Sequence, residues 1–484
     1  MNPIPKRIAA LLAGLVTSSV LAAEPTPQTG PATNLREAAQ RAVVSNPEVQ
    51  ARWHVFQAAG NERESARGGY FPRVDLTAGV GTERRHNTGL EDQDFQRRGV
   101  TLGLTQMIYD GFATSSDVSR LGYARLTRYY ELLDASESAA LETLRAYTDV
   151  ERYRELVKLA EENYVRHRQV FDQIRDRVQA GVGRRVDLEQ ASGRLALAES
   201  NLLTEATNLH DVSARYQRLV GELPNSSLAP VDLGKAELPQ NVVEALRNAY
   251  SGSPAFLASV ENIEAAKADR DVRKARFHPT VDFRARTEVG HNLDGLIGRN
   301  NAQVIEVVMN YNLFNGGSDL ATVRQYADRV NVAKDQRDKA CRDLRQTVSI
   351  AYNDVHRLAE QLRYLDQHQL SIAKAREAYR KQFDIGQRTL LDLLDTENEY
   401  FQARRAYTGA IYDQTVARGR ALAAMGRLLQ ALDVRRGDLP ALVDLGSEAT
   451  VVDPATACPA EGPGMIQVDK EALLAEAMKK SGGE

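Results

Sequence analysis

Two long stretches of this 484-residue chain contain no proline, and that feature constrains the fold more than any other. The stretches are residues 73–223 and 280–439, and every proline lies before, between or after them. Proline breaks helix interiors and cannot donate a hydrogen bond in the middle of a sheet. The two stretches therefore predict unusually long regular elements.

The two stretches belong to two copies of one unit, which are offset by 205 to 207 residues. Tyr-Phe-Pro at residues 70–72 corresponds to Phe-His-Pro at 277–279, and Gly181 corresponds to Gly386. So many landmarks at one offset indicate a tandem duplication rather than coincidence among common residues. We assign residues 35–223 to the first copy, 224–240 to a linker, 241–432 to the second copy and 433–484 to a C-terminal tail.

Each copy contains two segments in which apolar residues alternate with polar or small ones. Val74, Leu76, Ala78 and Val80 show this period of two, which is typical of a strand with one apolar face. The segments in the second copy show it too. We predict four strands, at residues 73–82, 98–109, 280–290 and 302–314.

After each strand pair the sequence becomes rich in Ala, Leu, Glu and Arg, with apolar residues three and four apart. This spacing is typical of a coiled-coil seam. Each copy then reads as helix, strand, strand, very long helix, turn and return helix. About 68 residues of helix would span on the order of 100 Å, which no compact globular domain holds. The predicted long helices cover residues 112–180 and 318–385, and the return helices cover 186–219 and 390–432.

The N-terminus resembles a secretory signal peptide. Lys6 and Arg7 precede a short apolar run that ends in small residues near Ala22 and Ala23. We assign residues 1–23 to the signal peptide and 24–34 to a linker; the alternative, a membrane anchor, needs a longer apolar run. No later stretch is apolar enough for a spanning helix, so any membrane crossing is expected to use strands.

Composition excludes several function classes. A formal net charge of -3 argues against nucleic-acid binding. No phosphate-binding loop, nucleophile elbow or His-Glu-x-x-His motif occurs, so we expect no enzymatic activity, no cofactor and no metal. Cys341 and Cys458 could form one bond in an oxidising compartment, but we interpret them as unrelated.

Four amphipathic strands cannot close a barrel alone, and an open sheet in lipid leaves unpaired edges. Three chains would supply about twelve strands, within the range of outer-membrane barrels. The predicted fold class is mainly α with a small β part. Long antiparallel coiled-coil helices are expected to pack around one axis as an α-barrel, and four strands per chain are expected to contribute to a transmembrane β-barrel shared by three chains.

The duplicated plan, the strand-opening motifs and above all Ile-Gly-Gln-Arg-Thr-Leu-Leu-Asp-Leu-Leu-Asp at residues 385–395 resemble the TolC outer-membrane factor family. The resemblance covers nearly all of residues 35–432. It implies a homotrimer in the outer-membrane lipid of a Gram-negative bacterium, with a large periplasmic portion. It also implies a passive duct served by a periplasmic adaptor protein and an inner-membrane pump of the ABC or RND type.

The resemblance places functional residues at the turns that follow the two long helices. In the family this turn meets the adaptor, and the role carries over to Gly181, Val182, Gly183, Gly386 and Gln387. The alternative is plain helix capping by glycine without recognition.

The resemblance also implies a pore constriction. Asp392 and Asp395 lie three residues apart, on one face of the return helix, and match family aspartates at the entrance. In a trimer they would form two carboxylate rings that attract cations. The alternative is that acidic residues in a first helical turn merely complement the helix dipole.

The family's gate contacts are only half matched. Asp187 and Arg388 occupy the aspartate and arginine positions, but Phe383 replaces the tyrosine and Val186 replaces the threonine. Phenylalanine can neither donate nor accept a hydrogen bond. We therefore expect a closed state that is held differently, by Arg388 with a carboxylate or a backbone carbonyl.

Within the duct interpretation, type I protein secretion is favoured over efflux of small molecules, because no cysteine for a lipid anchor follows the leader. A periplasmic coiled-coil scaffold or adaptor is a more distant alternative, since it does not explain the paired strands.

Overall fold

The computed structural model describes residues 30–86, 88, 93–233, 236–293, 297–446, 449–466 and 468–481. The predicted signal peptide and the first part of its linker lie outside the described residues. The chain divides into two compact units, Met1–Pro31 and Ala32–Glu484, and every feature below belongs to the second unit.

The first repeat contains four helices and two strands in the predicted order, with one extra helix at its start. Its elements are α1 (Leu35–Ser45), α2 (Pro47–Arg67), β1 (Arg73–Arg85), β2 (Gln93–Tyr109), α3 (Ala113–Gln179) and α4 (Arg185–Val220).

The second repeat has the same order and is followed by two short helices. Its elements are α5 (Val242–Gly252), α6 (Pro254–Lys274), β3 (Thr280–His291), β4 (Arg299–Asn310), α7 (Ser318–Asp384) and α8 (Leu390–Ala424), and then come α9 (Leu428–Ala431) and α10 (Lys470–Ser481).

The helix before each strand pair is in fact two helices. Asn46 ends α1 and begins α2, because its side-chain oxygen accepts the backbone N–H of Glu48 at 2.9 Å while Pro47 occupies the first helical position. Pro254 occupies the same position in α6. Each proline thus separates two helices instead of only opening one.

Several predicted bounds are wrong. The strand predicted at 73–82 extends to Arg85, and the one predicted at 98–109 begins already at Gln93. The strand predicted at 302–314 ends at Asn310, and the Asn312 side chain then accepts the N–H of Phe314 in a turn. The return helix predicted at 390–432 ends at Ala424, where Gly426 adopts a φ of +67°. The N–H of Arg427 bonds to the carbonyl of Leu422, which is a glycine-terminated helix end.

The four strands form one antiparallel sheet in the order β1-β2-β3-β4. In its register Ala78 lies opposite Val100, and Val100 lies opposite Val289, so the apolar residues of neighbouring strands share one face. Much of that face is exposed in the single chain. Within the part of the chain that the structure describes, strands β1 and β4 are the open edges of the sheet. The predicted mainly helical fold with four strands is confirmed, whereas the trimeric barrel stays a prediction.

Helices α3 and α7 each contain 67 residues, or about 100 Å of helix. α3 packs along α4, and α7 packs along α8, as two antiparallel hairpins. The largest hydrophobic core lies where α1 and α5 pack against these hairpins, with Tyr147, Tyr216 and Tyr250 fully buried. Among the described residues, no helix is long and apolar enough to cross a membrane.

The cysteines are not unrelated, so that interpretation is wrong. Cys341 of α7 and Cys458 of the tail form a disulfide bond. The tail returns from the end of the second repeat to α7, which brings together two cysteines 117 residues apart. The bond fixes part of the tail to the second long helix.

Glu137 of α3 makes the stability of this fold depend on pH. Burial raises the pKa of its carboxyl to about 8, although the backbone N–H of Leu429 donates to it at 3.3 Å. The folded-state pKa lies above the ordinary value, so the stabilisation is complete below about pH 4.5 and is lost as the pH rises through 8.

Glu137→Gln should therefore raise the melting temperature at pH 9 relative to wild type and leave it nearly unchanged at pH 5. The expected increase in the free energy of unfolding at pH 9 is on the order of 1 to 3 kcal/mol. Circular dichroism melts in detergent at the two pH values measure it. Glu142→Gln, which removes a more exposed carboxylate of the same helix, is the control. An unchanged pH dependence of Glu137→Gln would contradict the assignment.

Candidate functional site

The two turns between long helix and return helix have the same geometry. Gly181 and Gly386 have φ values of +75° and +78°, in the left-handed region that glycine adopts without strain. The N–H of Val182 bonds to the carbonyl of Arg177, and that of Gln387 bonds to the carbonyl of Gln382. Both turns are Schellman motifs, in which the glycine ends the helix and redirects the chain.

The turns present apolar side chains to solvent. Val182 is 79% exposed and Ile385 is 69% exposed, and Val186 is also exposed at the start of α4. Gly183 differs from Gly181, since an added Cβ would lie 2.8 Å from Cγ2 of Val178. The two turns together are called the tip here. The tip therefore combines fixed backbone geometry with an apolar surface.

A small hydrophobic core supports the two turns from inside. Phe383 is buried there with Ile174 and Leu394, and the guanidinium of Arg177 lies 5.6 Å from its ring centroid. The carboxylate of Asp187 makes no hydrogen bond or ion pair with a described residue. Among the described residues of one chain, no hydrogen bond joins Phe383 and Asp187.

Asp392 belongs to a capping box at the start of α8. Its carboxylate accepts the hydroxyl of Thr389 at 2.9 Å and the backbone N–H of Thr389 at 3.1 Å. These bonds, with a smaller contribution from Arg388, hold the pKa of Asp392 below its usual value. The carboxylate is ionised at neutral pH and remains exposed.

Arg388 lies between the turn and this cap. Its Nε donates to Oε1 of Gln382 at 3.0 Å, and its guanidinium stacks 4.3 Å from the ring centroid of Tyr379. Nη1 is 3.9 Å from the carboxylate of Asp392. Within one chain Arg388 is thus held by a side-chain amide and an aromatic ring, with the carboxylate of Asp392 nearby, and its role in a closed state stays a prediction.

Asp395 lies one turn further along α8 and forms an ion pair with Arg194 of α4. Both side chains are partly exposed. Sequence reasoning missed Arg194, because the two residues are 201 positions apart and no shared motif joins them. The structure thus brings Asp392 and Asp395 to one end of α8 but gives each a different partner.

In the described part of the chain, no three His, Cys, Asp or Glu side chains come together in a way that could hold a metal ion. In the single chain the candidate site is therefore an exposed surface at the two turns, with the carboxylates of Asp392 and Asp395 beside it.

The fold occurs in solved outer-membrane channels. The Campylobacter jejuni CmeC outer membrane channel superposes with a TM-score of 0.74 at 15% identity, and the match covers 84% of this chain and 90% of that one. The four-stranded sheet followed by two helical hairpins of about 100 Å is thus the fold of outer-membrane channel proteins.

The family model described as outer membrane efflux protein matches residues 38–222 and 245–427. The chain belongs to this family, which confirms the resemblance drawn from its motifs, and it is an outer-membrane efflux channel protein with a large periplasmic part.

Two relatives show the range of the family. Outer membrane efflux protein BepC of Brucella suis is 26% identical, and the match covers 69% of this chain and 74% of BepC. Alkaline protease secretion protein AprF of Pseudomonas aeruginosa is 25% identical, over 78% of this chain and 81% of AprF.

Proposed function

We propose that three copies of this chain form a passive outer-membrane duct for type I protein secretion. The observation that carries the proposal is the sheet, whose apolar face and two edge strands are left without partners in one chain. Three sheets joined edge to edge would supply the missing partners and make a barrel of about twelve strands. The duct itself carries no enzymatic activity.

The name of AprF supports secretion of a protein cargo, and the match covers most of both chains. The name of BepC supports the second candidate, efflux of small molecules. Deleting the gene and comparing secreted proteins with dye and antibiotic retention separates the two. Loss of one large secreted protein is expected; retained secretion with raised dye accumulation would favour efflux.

The tip is the proposed docking surface for a periplasmic adaptor, which connects the duct to an inner-membrane pump of the ABC or RND type. The fixed turns at Gly181 and Gly386 and the exposed side chain of Val182 support this role. Gly183 and Gln387 complete the two turns. Apolar side chains on a rigid, exposed backbone are typical of protein-binding surfaces.

The entrance is proposed to be narrowed by Asp392 and Asp395, with Arg388 holding the closed state. Asp187 and Phe383 lie in the same region, but no hydrogen bond joins their side chains. Arg388 holds the closed state in this proposal because it connects the end of α7, through Gln382, to the first turn of α8.

Arg388→Ala should raise the resting conductance of trimers in planar bilayers several-fold, because the tie between the two helices is lost. Arg184→Ala is the matched control, since Arg184 is exposed and precedes α4 as Thr389 precedes α8. Equal resting conductance in the two variants would remove Arg388 from the gate.

A further inference from the structure

The segment after the disulfide lies along α7 as an extended strap, defined here as residues 458–466. Its N-terminal end, called the upper end here, is held by the Cys341–Cys458 bond and by the Tyr250 hydroxyl, which donates to the carbonyl of Pro459 at 2.8 Å. Its lower end is held by Arg357, whose guanidinium donates to the carbonyl of Ile466. The strap thus covers a long section of one helix.

Four residues of α7 meet the strap and the start of α10, namely Cys341, Ser349, Arg357 and Tyr364. They are spaced by 8, 8 and 7 residues. At about 100° of rotation per residue, the last three lie within about 80° of one another on one face of α7, and Cys341 lies about 80° beyond Ser349. Their partners in the tail are four residues apart. Four extended residues span about 13 Å, which is close to the ~12 Å rise of eight helical residues. The four tail partners are Cys458, Gly462, Ile466 and Lys470.

The internal repeat shows what normally covers such a face. The residues of α3 that lie 205 positions earlier include Leu144 and Arg152. Both contact α8: an added Cβ on Gly419 would lie 2.0 Å from Leu144, and Arg152 donates to the carboxylate of Asp413 at 2.5 Å. The strap therefore occupies on α7 the place that α8 occupies on α3.

The counterpart of α8 in the first repeat is α4, which carries an exposed apolar residue at a matching position. Leu203 of α4 is 70% exposed, whereas Thr408 of α8, at the same place in the repeat, is 7% exposed. An α4 from a second copy, laid on α7 as α8 lies on α3, would bury Leu203. Within the chain α4 is already paired with α3.

The strap is a weak cover compared with a helix. Ile466 is 80% exposed, so the strap buries little apolar surface at its lower end. The contact of α8 with α3, in contrast, buries Phe401 against Leu159. A helix that buries apolar side chains on this face should displace the strap.

We propose that the strap is an exchangeable cover of the subunit-assembly face of α7, replaced by α4 of a second copy when the oligomer forms. The disulfide keeps the displaced strap attached at its upper end. The proposal rests on the homotrimer proposed above, since a monomer would have no α4 to exchange.

Truncation tests the competition. A chain ending at Glu461 keeps the disulfide and the Pro459 contact but lacks the lower strap. It should form heat-resistant trimers at least threefold faster than the full chain in pulse-chase assembly, with the same final yield. A chain ending at Glu471 keeps the Lys470 contact and is the matched control. An unchanged rate at Glu461 would overturn the proposal, as would loss of trimers.

A crosslink identifies the occupant. The pair equivalent to Arg152 and Asp413 is Arg357 of one copy and Asn208 of the next. With both native cysteines changed to serine, Asn208→Cys and Arg357→Cys should give an oxidant-dependent link between chains in assembled trimers. Trimers without this link would overturn the inference alone, whereas a monomeric protein would overturn the proposed function as well.

Discussion

Gly386→Val is expected to abolish crosslinking of the duct to its adaptor while trimers still reach the outer membrane. The glycine has a φ of +78°, and a β-branched residue is strongly disfavoured in this region. Valine would have to move the turn, and with it Gln387 and the exposed Ile385. We expect at least a tenfold loss of crosslinked adaptor, and Gly181→Val should have the same kind of effect.

The control for this prediction is Gly193→Val. Gly193 lies in helix α4, close to the tip, and an added Cβ would meet nothing within 4 Å. The same residue type is thus introduced near the tip without a change in turn geometry. Undiminished crosslinking in Gly386→Val, with normal trimers, would show that the turn only caps the helix.

Replacing both Asp392 and Asp395 by alanine is expected to weaken block of single-trimer conductance by divalent cations about tenfold or more. In a trimer the change removes six carboxylates from the entrance, and rings of carboxylates are what attract cations in a pore. Planar-bilayer recordings with increasing divalent cation measure it. Glu377→Ala, which removes an exposed carboxylate from α7, should leave the block unchanged.

Single variants separate the two aspartates. Asp395 forms a close ion pair with Arg194, so its charge is partly neutralised. Asp392 accepts its hydrogen bonds from the neutral donors of Thr389, and its nearest cation, Arg388, lies further away at 3.9 Å. Asp392→Asn should therefore cause the larger loss of block. Arg194→Ala should strengthen the block, because it frees the charge of Asp395. Block that is unaffected by all of these changes would mean that neither residue faces the conduction path.

The long elements could be predicted because their signals are local and occur twice. The absence of proline, the period of two in the strands and the seam of the coiled coils each appear in both copies. The end of α8 was also marked locally, by Gly426, yet helical composition continues past it to residue 432. The prediction extended the helix because the apolar pattern continues. In the structure α8 ends at Ala424, just before Gly426.

Contacts between distant residues could not be predicted. The Arg194 to Asp395 pair joins two return helices, and the disulfide joins a helix to an irregular tail. Each depends on how helices pack side by side, which no single segment specifies. The turns at Gly181 and Gly386 were predictable because glycine itself specifies the left-handed geometry.

The open edges of β1 and β4 have a consequence for how the protein must be handled before it is assembled. Unpaired strand edges beside an apolar face are templates for aggregation. Each new chain is therefore prone to aggregate until these edges are paired. Completion of the proposed barrel of three chains then depends on the concentration of unassembled chains. Lowering expression should delay maturation of each remaining chain, and a periplasmic chaperone that masks strand edges should matter most when chains are scarce.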